Sequence, residues 1–181
     1  MDIQKLLNDF MTLVEIGEIE IYNEFSLQHE LGIFLRANLT GYKVQFERNT
    51  KFFGIRETVK HEIDIVIYNN LERYAIELKY PRNGQYPEQM FSFVKDIKFM
   101  EEMKESGFNE AYCLALVEDK NFYSGQKLDG IYAFFRGGES VHGLICKPTG
   151  KKDEQLIING KYDIRWKNCG DMKYYIVEIF C

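Results

Sequence analysis

Near the start of the chain, Ile3, Leu6, Leu7, Phe10, Met11 and Val14 recur at intervals of three and four. That spacing places them on one face of a helix. Gly17 interrupts the pattern, and a second stripe of Leu27, Leu31, Phe34 and Leu35 predicts a helix capped by Asn23 and running to about Asn38. After Gly41 the period changes. Residues 42–49 read as a first strand, and 61–68 alternate, with Ile63, Ile65 and Ile67 on one face and Glu62, Asp64, Val66 and Tyr68 on the other. A turn over 69–73 leads to a strand at 74–80, where Ile76, Leu78 and Tyr80 share one face and Ala75, Glu77 and Lys79 the other. Pro81, Arg82, Asn83 and Gly84 break that strand. A long helix is predicted over about 87–105, with Met90, Phe93, Val94, Ile97 and Met100 as its stripe and Gly107 as its stop. Residues 110–119 form an apolar run that predicts a central strand. Reached through a crossover helix, it pairs parallel with 74–80.

The last third is less regular. Residues 131–136 suit a short helix or a strand, and 141–147, 155–160, 162–167 and 173–180 suggest strands and turns. No repeat or linker divides the chain. The expectation is one α/β domain over 1–181, with an N-terminal helix at 1–16, a core at about 23–119 and a mixed C-terminal extension at 120–181. Its centre is a mixed β-sheet flanked by helices.

A chain of 181 residues fits one domain and buries enough surface to need no staples. No apolar run approaches the length of a membrane span, and the opening MDIQKLLNDF lacks the basic flank of a secretory signal. Cys113, Cys146, Cys169 and Cys181 are widely spaced and the histidines His29, His61 and His142 stand apart, so a structural zinc site is not expected. A reducing, cytoplasmic setting is the expectation. The net charge of −5 argues against non-specific adhesion to nucleic acid, though not against a local basic patch. No phosphate-binding loop, dinucleotide fingerprint or serine nucleophile elbow is present.

The chemistry concentrates in HEIDIVIYNNLERYAIELKYP, residues 61–81. Glu77 and Lys79 project from one face of their strand, and burying either charge alone costs several kcal/mol. A divalent metal accounts for them. Asp64 and Glu77 supply oxygens for Mg²⁺ or Mn²⁺, with the Leu78 carbonyl and waters completing the shell. Lys79 then lies near a water attacking a phosphodiester, either orienting and deprotonating it or neutralising the phosphate. Glu30, at the edge of the second helix's buried face, closes the cluster, with Glu24 as its rival. For Asp64 and Glu77 to share a face, paired residue numbers must sum to an odd number, which an even-membered loop such as 69–72 provides.

The segment resembles the PD-(D/E)XK nuclease superfamily, the restriction-endonuclease-like group. The family pattern is a helix glutamate, then a hairpin bearing Asp followed by Glu-x-Lys. Here Glu30, Asp64 and Glu77-Leu78-Lys79 match in order, with Ile63 standing where the family usually has proline. The resemblance implies an order of helix, three strands, helix, strand over residues 23–119. It also implies Mg²⁺-dependent cleavage of nucleic acid, DNA more often than RNA. Asp64, Glu77, Leu78 and Glu30 would hold the metal, and Lys79 would serve catalysis. Gln89, early in the crossover helix, matches a supporting position. Lys95, Arg82, Arg56 and Lys60 are candidate substrate contacts. A homodimer would let two sites cut two strands. The alternative is a non-catalytic nucleic-acid- or protein-binding module on the same fold, or a sheet face carrying solvated ion pairs.

Overall fold

A computed structural model of the chain describes residues 1–82, 84–150 and 154–180. In chain order the elements are α1 (Ile3–Glu15), α2 (Glu24–Asn38), β1 (Lys43–Asn49), β2 (Glu62–Tyr68), β3 (Arg73–Lys79), α3 (Tyr86–Glu105) and β4 (Glu110–Val117). Then follow α4 (Ile131–Phe135), β5 (Val141–Cys146), β6 (Gln155–Tyr162), β7 (Lys167–Cys169) and β8 (Met172–Glu178). Six strands form one mixed sheet in the order β1-β2-β3-β4-β8-β7, and β5 and β6 form a separate two-stranded sheet. β3 and β4 run parallel, as a crossover through α3 requires, and every other pairing in the large sheet is antiparallel.

The alternation within the strands divides the core in two. Ile65, Ile67, Ile76, Leu78, Leu114 and Leu116 face α1 and α2, where they meet Leu7, Phe10, Leu27 and Leu31. Val66, Ala75, Cys113, Ala115, Tyr175 and Val177 face α3, where they meet Met90, Phe93, Ile97 and Met100. The β5–β6 hairpin packs on the same side. Glu101 of α3, fully buried, accepts hydrogen bonds from Asn159 N (3.2 Å), Gly160 N (2.7 Å) and Tyr162 Oη (3.0 Å), which ties β6 to the helix.

Two local devices position the site. Asn23 caps α2 reciprocally: its Oδ1 accepts from Ser26 N at 2.7 Å, and Ser26 Oγ accepts from Asn23 N at 3.1 Å. The β2–β3 turn is the four-residue loop 69–72, closed by Asn69 N donating to Glu72 O at 2.9 Å. Asn69 Oδ1 also accepts from Leu71 N and Glu72 N, both at 2.8 Å. This loop pairs Tyr68 with Arg73 and Ile65 with Ile76, the odd-sum register.

The C-terminal third resolves what the pattern left open. Residues 131–135 are helical. The segment 162–167 is not one strand but the end of β6 and the start of β7. The chain leaves the strand there to bring Trp166 inward. Its Nε1 donates to Phe135 O at 2.9 Å, and its ring meets Tyr175 edge-on at 5.1 Å. Among the described residues no helix is long and apolar enough to cross a membrane.

Candidate active site

The β2–β3 ladder ends at Ile65↔Ile76, although β2 begins at Glu62 and β3 continues to Lys79. Where the strands part, side chains replace backbone pairing. Glu77 Oε1 accepts from Asp64 N at 3.2 Å, and Asp64 Oδ2 accepts from Leu78 N at 2.8 Å. The register carries Asp64 opposite Glu77, so the two carboxylates meet at the mouth of the opening strand pair.

Behind them lies a knot of charge. Lys60, from the loop before β2, donates Nζ to Glu77 Oε2 and to Asp96 Oδ1, the latter at 2.9 Å. Asp96 Oδ2 lies 3.2 Å from Lys79 Nζ, an ion pair outside hydrogen-bonding geometry. Lys79 Nζ also donates to Leu78 O at 3.2 Å. Glu77 and Asp96 are almost wholly buried, at 1% and 3% exposure. Three carboxylates thus face two ammonium groups. Burial pushes the Asp64 carboxyl up to about 6 against the pull of Lys60 and the Leu78 amide. Burial, with Asp64 and Asp96 alongside, also pushes the Glu77 carboxyl well above its ordinary value. Burial works to lower both lysines, but the surrounding carboxylates, Asp96 foremost and Glu77 with it, together outweigh it and hold them raised. Lys79 is therefore an ammonium at neutral pH, which suits it to meet a phosphate and not to accept a proton.

In front of Asp64 is a cavity of about 160 Å³ lined by Glu24, Phe25, Gln28, Glu47, Asp64 and Leu78. Gln28 Nε2 bridges Glu47 Oε1 (2.6 Å) and Asp64 O (2.9 Å). Glu47 has φ +47°, the one positive φ among the described non-glycine residues. That strained conformation, worth on the order of 1–2 kcal/mol, aims a third carboxylate at the cavity. Beside it is a larger groove of about 700 Å³ lined by Asn23, Glu24, Phe25, Lys79, Tyr80, Pro81, Arg82, Gln89 and Ser92. Glu24 and Phe25 wall both spaces, and Glu24 Oε2 accepts from Tyr80 N at 2.9 Å.

Asp64, Glu77, Leu78 and Lys79 are thus brought together, and Arg82 and Gln89 line the adjoining groove. Glu30 is not brought in. The carboxylate that α2 presents to the cavity is Glu24, because Glu30 sits two residues past Gln28 and hence about 200° around the helix. Lys60 is an inward counter-ion in place of an outward substrate contact. Lys95 is drawn to Glu154 at 3.3 Å, and Arg56 is exposed in the loop before β2. Pattern reading missed Asp96, Gln28 and Glu47. The first had a signal, since Asp96 follows Phe93 by three and precedes Met100 by four, on the buried stripe of α3.

Comparison with protein-family models, with curated proteins and with solved structures finds no match.

The divalent cation that the resemblance implies calls for hard oxygen donors in an acidic setting. Among the described residues no three His, Cys, Asp or Glu side chains converge into a ready-made metal-binding group. Mg²⁺ does not require one, since it keeps several waters and takes one or two carboxylates together with substrate phosphate. Asp64 Oδ1 accepts no hydrogen bond among the described residues, and Asp64 lines the acidic cavity with Glu24 and Glu47. Hard oxygen donors and unbalanced negative charge fit such an ion. Glu77 fits only where Lys60 gives up Oε2 to the ion, because Lys60 and the Asp64 amide engage both of its oxygens.

Proposed function

We propose that this protein is a divalent-metal-dependent phosphodiesterase acting on nucleic acid, most plainly a DNA endonuclease. The reading rests on one observation above the others: Asp64 and Glu77 meet where the β2–β3 ladder stops, with Lys79 on the same face. The observed order α2, β1, β2, β3, α3, β4 over residues 24–117 also supports it, being the order of the restriction-endonuclease-like core.

In this reading Asp64, Glu24, the Leu78 carbonyl and, once Lys60 withdraws, Glu77 would hold Mg²⁺ or Mn²⁺. The ion, when bound, activates the attacking water and polarises the phosphate. Lys79, fixed as an ammonium by Asp96, neutralises charge that builds on the scissile phosphate. Asp96 holds Lys79 and Lys60 in place and does not touch substrate. Arg82 and Gln89 line the groove through which a strand reaches the carboxylates.

The test is calorimetric Mn²⁺ binding together with Mg²⁺-dependent cleavage of single-stranded, branched and duplex substrates. Asp64→Ala is expected to lose both, and Lys79→Ala to keep metal and lose cleavage. Unchanged cleavage in either variant would end the assignment.

The Lys60 ammonium on Glu77 favours a second reading, a non-catalytic binding module whose metal has been replaced by a lysine. Nucleic-acid binding indifferent to Mg²⁺, with no cleavage of any substrate, would establish it.

A further inference from the structure

Phe25 stands where the acidic cavity and the larger groove meet, and it walls both. It is 69% exposed on the first turn of α2. His29, one turn on, lies with its ring nearly parallel to Phe25, at 6.0 Å between centroids and 15° between planes. Tyr22, just before the helix, is 60% exposed. Single exposed rings are common and mean little. This one adds nothing to the α2 core stripe of Leu27, Leu31 and Leu35, yet it stands at the threshold between the carboxylates and the cations.

The cations lining these two spaces, among the described residues, are Lys79 and Arg82. Double-stranded DNA carries a charge about every 1.7 Å along its axis, and a protein that grips it meets both backbones with several cations. Two cations suit the phosphates of one strand next to the bond to be cut. Within a duplex the base faces are stacked on each other and closed to an outside ring. An unpaired base offers its face, and aromatic side chains bind such bases with little regard to sequence.

Building on the nuclease reading of the same site, we propose that the substrate is nucleic acid with an unpaired nucleotide at the cleavage point. Its base stacks on the free face of Phe25, and Lys79 and Arg82 take the adjoining phosphates. A single strand, a flap or a branch offers such a nucleotide.

The experiment uses the full chain carrying Asp64→Asn, so that bound substrate stays uncut. Affinity is measured for a fluorescein-labelled single-stranded oligodeoxynucleotide and for the blunt duplex of the same sequence. The single strand is expected to bind more tightly than the duplex. Phe25→Ala should weaken that binding about tenfold or more and leave thermal unfolding unchanged. Phe25→Trp should keep the affinity, and its emission should be quenched by the oligonucleotide. Equal binding by Phe25→Ala, or preference for blunt duplex, would overturn the inference. So would a shift from dimer to monomer on sedimentation of Phe25→Ala, which would assign the ring to a second copy of the chain. If the parent chain binds Mn²⁺ and cuts blunt duplex whatever stands at position 25, this inference alone fails. If it binds no Mn²⁺ and cuts nothing, the nuclease reading fails and this one with it.

Discussion

Asp64 answers two opposed demands. Burial raises its carboxyl from 3.8 to about 6. Between those values the folded chain keeps a proton that the unfolded chain has released, so folding loses stability as pH rises through that window. At neutral pH the loss amounts to about 3 kcal/mol. Asp64→Asn keeps an acceptor for the Leu78 amide and sheds the buried charge. It is expected to be more stable than the parent by about 2–3 kcal/mol near pH 7 and equal to it near pH 4, measured by urea denaturation at both. The ionisation that weakens the fold is the one a cation requires, so cleavage by the parent should rise with pH through about 6. Lys60→Met leaves Glu77 and Asp96 without their shared counter-ion and should cost roughly 3–5 kcal/mol, read by the same titration. Asp64, Glu77 and Lys79 were legible in the sequence because a strand's period of two puts charged residues on a countable face. Asp96 was legible only from its place on the buried stripe of α3, three after Phe93 and four before Met100, a signal that the flanking Lys95 and Lys98 mask. Lys60 was not legible, because its direction is set by a loop with no period.

At the scale of elements, the hairpin was predictable and the placement of α2 was not. Loop parity alone set Asp64 opposite Glu77, and the four-residue turn at 69–72 meets that condition. The apolar stripe of α2 fixed which face is buried, but not which of its two edges faces the opening between the strands: Glu24 shares Gln28's side of the helix, and Glu30 lies about 200° round from Gln28. Glu24, at the helix's first turn, therefore reaches the opening in place of Glu30. The cap that starts this turn also aims it. Asn23→Ala removes the acceptor for Ser26 N and should lower stability by about 1 kcal/mol, read from the shift in Tm. Because Glu24 and Phe25 follow immediately, cleavage should fall by more than the change in folded fraction accounts for, measured well below the transition.

For the molecule as a whole, charge sets the terms of binding. With a net −5 and two cations lining the site among the described residues, few counterions are released when a strand binds. The logarithm of oligonucleotide affinity should fall with the logarithm of salt at a slope of only about −1 to −2, checked by titration at several ionic strengths. The sequence also hid how its last third is used. Residues 173–180 read as a strand, but no pattern says where a strand inserts, and β8 lies beside β4, whose other neighbour is β3. Tyr112, opposite Glu178, and Val117, opposite Lys173, gain their second partner from residues more than fifty positions downstream. During synthesis, β4 therefore leaves the ribosome with one edge bare and must wait for β8. The segment most exposed to a holding chaperone, or to mispairing with another nascent copy, is this middle strand rather than either end of the chain.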